Sequence, residues 1–225
     1  FMIPSLFTLR PENDSYIHSE HLNMHERIQI SMFKMWNKFN VAKSSDIAII
    51  SNNNWGVDYY LNNTKKYNTP TVNTHMSPED YIKFIENFDE YLKLTPEKIE
   101  SDKEYPVGKL ELNGNVIKIN FVKEENWEVA LKHWEERKKL LPKKSEILFK
   151  ICDRKFDGEL TSELLQRFYN CNLSKKVVFL SEFTDFKEKF LNKKFGAKLI
   201  ASKYSDNKNK CCPVGDKLYR ICGIN

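Results

Sequence analysis

The sequence predicts an α/β fold, a Rossmann-like three-layer α/β/α arrangement around a mainly parallel sheet with a β-hairpin insertion. Three observations predict it. Short, continuous apolar runs such as Ile47-Ala-Ile-Ile50 have the character of strands buried on both faces. These runs alternate with amphipathic stripes at helical spacing, the signature of strands joined by crossover helices. Asn113-Gly114, the pair favoured in a two-residue hairpin turn, sits between two further short strands and interrupts that alternation. At 225 residues, one domain over 1–225 can bury about 70% of its unfolded surface without staples.

Taken in order, residues 18–40 carry Leu22, Ile28, Ile30, Phe33, Met35, Trp36 and Phe39, a broad stripe that predicts an N-terminal helix. Asp46 to Ser51 is the first strand, and a helix follows Gly56 over about 57–66. Asn68 to Thr74 reads as a short second strand, with Pro70 near its start where a missing N–H is tolerated. Ser77-Pro78-Glu79-Asp80 opens a helix that runs to about Leu92: Ser caps, Pro takes the first turn, and the carboxylates favour the positive end of the helix dipole. Residues 95–103 read as a polar connector. The hairpin strands are expected over 107–112 and 116–122, within an insertion spanning about 107–122, and a third helix over 125–140 ends at Pro142. A strand at 145–152, a helix at 161–169, a strand at 176–180, a helix at 186–193 and strands at 197–202 and 217–222 complete the expected order.

Composition excludes several classes. No apolar run approaches the roughly 20 residues of a membrane helix. The apolar opening residues lack a basic region before them and a cleavage site after them, so no secretory signal is expected. Five cysteines in a chain of this size favour a reducing, cytoplasmic setting, and Cys211, Cys212 and Cys222 match no zinc spacing. The net charge of +5 comes mostly from lysines in helical register with glutamates, and no nucleic-acid motif is present. With seven glycines there is no phosphate or dinucleotide loop, and neither a nucleophile elbow nor a zinc-protease helix occurs. The residues name no cofactor and no metal.

In a parallel sheet the loops after the strands share one edge, and open α/β sheets bind ligands there. That rule gathers Asn52, Asn53, Asn54, Trp55 and Gly56 after the first strand, Thr74 and His75 after the second, Asp153 and Arg154 after the strand at 145–152, and Ser181 with Glu182 after the next. Amides and an indole suit sugar hydroxyls or a nucleotide base, so Asn52, Asn53, Trp55, Gly56 and Arg154 are the candidate ligand-binding residues. Asp153, Glu182 and His75 are the candidate catalytic residues, His75 with Asp80 having the spacing at which a carboxylate orients a general base. Each has a plainer reading: Asn caps helices and turns, Trp55 packs under a sheet edge, and strand-end carboxylates bond to loop backbone.

The order and spacing of Ile50-Ser-Asn-Asn-Asn-Trp-Gly56, Tyr67-Asn-Thr-Pro-Thr71, Pro78-Glu-Asp-Tyr-Ile-Lys-Phe84, Tyr105-Pro-Val-Gly108 and Trp134-Glu-Glu-Arg-Lys138 resemble the bacterial family called domain of unknown function 1919. The resemblance covers about residues 46–182. Asn54 stands where that family commonly has Cys, and Val57 where a second Gly is usual. Members are often labelled exopolysaccharide biosynthesis proteins, so the resemblance implies a role in surface-glycan assembly, as a glycosyl- or acyltransferase that binds a sugar or nucleotide-sugar. It adds Arg137, one helical turn from Trp134, as a candidate phosphate ligand. The competing expectation is a non-catalytic module that binds a glycan or a partner enzyme, or a second copy of itself, through Phe33, Trp36 and Phe39 of the N-terminal helix.

Overall fold

The computed structural model describes residues 47–62, 66–153, 158–173, 175–181 and 198–202. It contains a parallel sheet and an antiparallel sheet. Strands β1 (Ala48–Ser51), β5 (Ile147–Cys152), β6 (Lys175–Ser181) and β7 (Lys198–Ser202) pair in that spatial order, all parallel, with Ala48 opposite Ile147 and Cys152 opposite Phe179. Strands β2 (Glu97–Ile99), β3 (Val107–Leu112) and β4 (Asn115–Asn120) form the antiparallel sheet. Among the described residues the α-helices are α1 (Val57–Asn62), α2 (Pro78–Glu86), α3 (Phe88–Tyr91), α4 (Trp127–Lys138) and α5 (Ser162–Asn170).

β1 and β5 are buried at every position, which explains why their sequences are apolar apart from Ser51 and Lys150. Alternate residues serve two cores. Ala48, Ile50, Phe149, Ile151, Val178 and Leu180 pack with α2, α3, α4, α5 and the antiparallel sheet. Ile47, Ile49, Leu148, Val177 and Phe179 pack on the other face with Trp55, Val57, Tyr59, Tyr60 and Val72. The parallel sheet is therefore covered on both faces.

Local chemistry sets the elements that frame the site. The Ser77 hydroxyl accepts from the Asp80 N–H at 3.0 Å and so caps α2. One face of α2 then buries Tyr81, Phe84 and Ile85, and the Tyr81 hydroxyl donates to the Ile50 carbonyl at 2.9 Å, tying the helix to β1. Asn113 and Gly114 both have positive φ, 51° and 79°, as the hairpin turn between β3 and β4 requires.

Three expectations are corrected. Asn68 to Thr74 forms turns, not a strand: the Thr69 hydroxyl accepts from the Thr71 N–H at 3.4 Å, the Thr74 hydroxyl donates to the Thr71 carbonyl at 2.8 Å, and these local bonds displace a ladder. What this segment does instead is cover the outer edge of β1. The Ile49 N–H donates to the Tyr60 hydroxyl at 3.0 Å, that hydroxyl donates to Asn68 Oδ1 at 2.8 Å, and the Thr71 hydroxyl reaches the Ile49 carbonyl at 3.5 Å. The polar connector at 95–103 holds β2, so the insertion is a three-stranded sheet rather than a hairpin alone. The helix expected over 77–92 breaks at Asn87, where φ is −120°, into α2 and the single turn α3. The expected N-terminal helix, the helix at 186–193, the strand at 217–222, Arg154, Glu182 and the three C-terminal cysteines lie outside the described residues.

Candidate functional site

The carboxyl ends of β1 and β5 bring the first candidate residues together. Asn52 continues the β1 ladder, its N–H donating to the Lys150 carbonyl at 3.3 Å, while its own carbonyl accepts from the Met76 N–H at 3.0 Å. The chain then turns under Asn53. The Asn53 Oδ1 accepts from the Ser51 hydroxyl at 3.0 Å and from the Trp55 N–H at 3.1 Å, a side-chain turn that ends the strand. Gly56 follows at φ 98°, and a Cβ there would lie 2.9 Å from Ile49 Cγ2, so glycine is required both for the backbone and for the approach to β1.

Lys150, at the middle of β5, is completely buried, and sequence reasoning missed it. Its Nζ donates to Asn53 Oδ1 at 2.8 Å and reaches Asn52 Oδ1 at 3.4 Å. The ammonium also sits 5.9 Å from the Trp55 ring centre and 5.6 Å from that of Phe179, which stack edge to face at 5.0 Å. Cys152 adds its thiol beside both amides, 3.4 Å from Asn53 Nδ2 and 3.7 Å from Asn52 Oδ1. The signal was present: a lysine inside Ile147-Leu-Phe-Lys-Ile-Cys152, an otherwise apolar strand, is a charge that the fold must hold by specific partners. Asp153 follows directly at the strand end, half-buried, with its N–H donating to the Phe179 carbonyl at 3.3 Å.

A second polar cluster adjoins the first. Asn54 Oδ1 accepts from the Asn73 N–H at 2.9 Å, and Asn73, at φ 64°, donates through Nδ2 to Glu124 Oε1 at 3.4 Å. Arg137 of α4 donates from one guanidinium nitrogen to the same Glu124 oxygen at 3.1 Å and to the Val72 carbonyl at 3.0 Å. Its guanidinium lies 5.2 Å from the Tyr67 ring, whereas Trp134 turns into the core against Phe84 and Phe121. The other Glu124 oxygen is 2.7 Å from His133 Nδ1. Neither Glu124 nor His133 is marked by the sequence: Glu124 lies in the turn between β4 and the Asn126 that caps α4, and His133 is embedded in a charged helix face.

His75 is buried beside this junction. It exchanges backbone hydrogen bonds with Asn120 of β4 at 2.8 and 2.9 Å, and Asn120 Nδ2 adds a third to the His75 carbonyl at 3.2 Å. Asp80 is engaged elsewhere, by the Ser77 hydroxyl at 2.9 Å and the Lys118 backbone, and burial pushes its carboxyl above the usual range. Among the described residues no group of three His, Cys, Asp or Glu is placed to hold a metal ion, and no helix is long and apolar enough to cross a membrane.

The model of the domain of unknown function called DUF1919 matches residues 24–212. The chain belongs to the DUF1919 family. A relative from Haemophilus influenzae (strain Rd), described as an uncharacterized protein, is 28% identical over 150 residues, covering 66% of this chain and 69% of the relative. The match spans both polar clusters, so this DUF1919 domain includes the loop after β1, the Glu124 turn and α4.

Proposed function

We propose that this DUF1919 protein is a transferase-like component of bacterial cell-surface polysaccharide assembly, acting in the cytoplasm and binding a sugar or nucleotide-sugar at the carboxyl edge of its parallel sheet. On this reading the sheet is the centre of one Rossmann-like three-layer domain. The observation that carries the proposal is the buried set Asn52, Asn53, Lys150 and Cys152, next to Asp153 at the end of β5. Amides in defined orientation serve sugar hydroxyls, the buried Lys150 ammonium holds those amides in that orientation, and a carboxylate at the rim serves a hydroxyl pair. The edge of a parallel sheet is where such groups reach a ligand without rebuilding the core.

Thermal unfolding in the presence of uridine- and guanosine-diphosphate sugars and free polyols tests the reading. A ligand at 100 times its Kd stabilises by about 2.7 kcal/mol, which for a domain of this size is a rise in Tm of about 5–11 °C. In Asn53→Ala, measured against its own ligand-free baseline, the rise should shrink to a small fraction. No shift with any member of the panel, or the same shift in the variant, would overturn the proposal.

A further inference from the structure

We infer that His133 is the proton acceptor for a substrate hydroxyl, with Glu124 as its positioning residue, so that the Glu124 turn and α4 form a carboxylate–imidazole dyad beside the sugar site proposed above.

The division of labour at Glu124 carries the inference. Its side chain is 4% exposed, and its two oxygens have different partners. Oε1 is held by the Arg137 guanidinium at 3.1 Å and by Asn73 Nδ2 at 3.4 Å. Oε2 faces His133 Nδ1 at 2.7 Å. A carboxylate accepts and an imidazole nitrogen must donate to it, so the neutral ring carries its proton on Nδ1 and presents the lone pair of Nε2. The Nδ1 edge lies against a buried carboxylate, and the His133 side chain as a whole is 35% exposed. Nε2 makes no hydrogen bond among the described residues. A buried carboxylate needs a countercharge, and Arg137 supplies it; that alone would make a structural ion pair. The partly exposed imidazole on the second oxygen is not needed for that role, and it is the arrangement by which a general base is oriented.

The dyad is also connected to the first cluster. Asn73 bonds Glu124 through its side chain and Asn54 through its N–H, which places the Glu124 carboxylate two hydrogen bonds from the loop that holds Asn52 and Asn53. The substrate class follows from the site reading on which this inference rests: a donor nucleotide-sugar at the sheet edge and an acceptor sugar hydroxyl at His133. In the step, the acceptor O–H passes its proton to Nε2, and its oxygen forms a bond to the anomeric carbon. The bond from that carbon to the phosphate oxygen breaks, and the nucleoside diphosphate leaves with the bonding pair. The imidazolium then returns its proton to solvent.

Long-range proton–nitrogen correlation spectra of the full chain, uniformly labelled with nitrogen-15 and recorded in mildly alkaline buffer, test the dyad without any ligand. His133→Gln assigns the signal among the five histidines. The expected result is an Nδ1–H tautomer with a bare Nε2, and acylation of that nitrogen by diethyl pyrocarbonate faster than in the urea-unfolded chain. An Nε2–H tautomer, an imidazolium that persists, or slower acylation would overturn the inference. With a nucleotide-sugar that shifts the wild-type Tm, His133→Gln should keep the shift and the KM while kcat for nucleoside diphosphate release falls about 10²- to 10⁴-fold; unchanged turnover overturns it as well. If no nucleotide-sugar binds, the sugar reading falls, and the tautomer and acylation measurements still decide the dyad.

Discussion

Replacing Glu124 with alanine is the sharpest stability test of the second polar cluster. The carboxylate is 4% exposed and Arg137 is 9% exposed on its side chain, so the pair is out of water. Removing Glu124 leaves the guanidinium with the Val72 carbonyl at 3.0 Å and the Tyr67 ring at 5.2 Å, and without the carboxylate. Breaking a buried pair from one side costs about 3–5 kcal/mol, because the remaining charge keeps its desolvation penalty. At about 2–4 °C per kcal/mol for a domain of this size, the expected fall in Tm is about 6–20 °C. Urea unfolding followed by far-UV circular dichroism measures the loss directly. Glu124→Ala combined with Arg137→Met should recover part of it, since the stranded charge is gone and the stem remains. A loss below about 1 kcal/mol, the scale of an exposed ion pair, or a double variant whose cost is the sum of the single ones, would refute the reasoning.

Other outcomes follow from single contacts. Gly56→Ala should cost about 2–5 kcal/mol, combining backbone strain with the Ile49 clash, while Gly114→Ala, with open space at its Cβ, should cost about 1–2 kcal/mol from backbone strain alone; equal losses in urea would contradict the clash. Tyr60→Phe removes the hydroxyl that accepts from the Ile49 N–H, and a buried orphan N–H costs about 1–3 kcal/mol, read as a lower urea midpoint with an unchanged slope. For Asp80, burial raises the folded pKa above the unfolded value, so the folded state binds the proton more tightly and stability falls as pH rises from the unfolded pKa through the folded one. Asp80→Asn should flatten that part of the stability–pH curve; a wild-type curve that rises with pH there, or a variant with the same slope, would show the sign is wrong.

How far the sequence reaches can be seen residue by residue. Ser77-Pro78 and Asn113-Gly114 were readable because each fixes a backbone conformation through its own chemistry, a side-chain cap in one case and positive φ in the other. The segment Asn68 to Thr74 misled because threonine and valine favour strands, yet the same hydroxyls can bond their own backbone, and the competition is settled by what lies alongside, here the edge of β1. Glu97-Lys-Ile99 is an exposed edge strand with no alternation to detect, so only its pairing with β3 reveals it. At the site, Asn52, Asn53 and Trp55 follow from the rule that strand ends converge. Glu124 and His133 do not, because their meeting depends on how α4 packs and not on any spacing between them.

The β1–β5 pairing carries a kinetic implication. Ala48 meets Ile147 only after the chain has made the whole excursion through α1, α2, the antiparallel sheet and α4. The β3–β4 hairpin, by contrast, closes over a two-residue turn. Loop-closure entropy therefore orders assembly, with the hairpin early and the β1–β5 seam late. Asn52 and Asn53 stand on one side of that seam and Lys150 on the other, so the lysine acquires its amide partners only as the seam closes. Whatever binds across those residues will act on the unfolding rate by holding together the last pieces to meet.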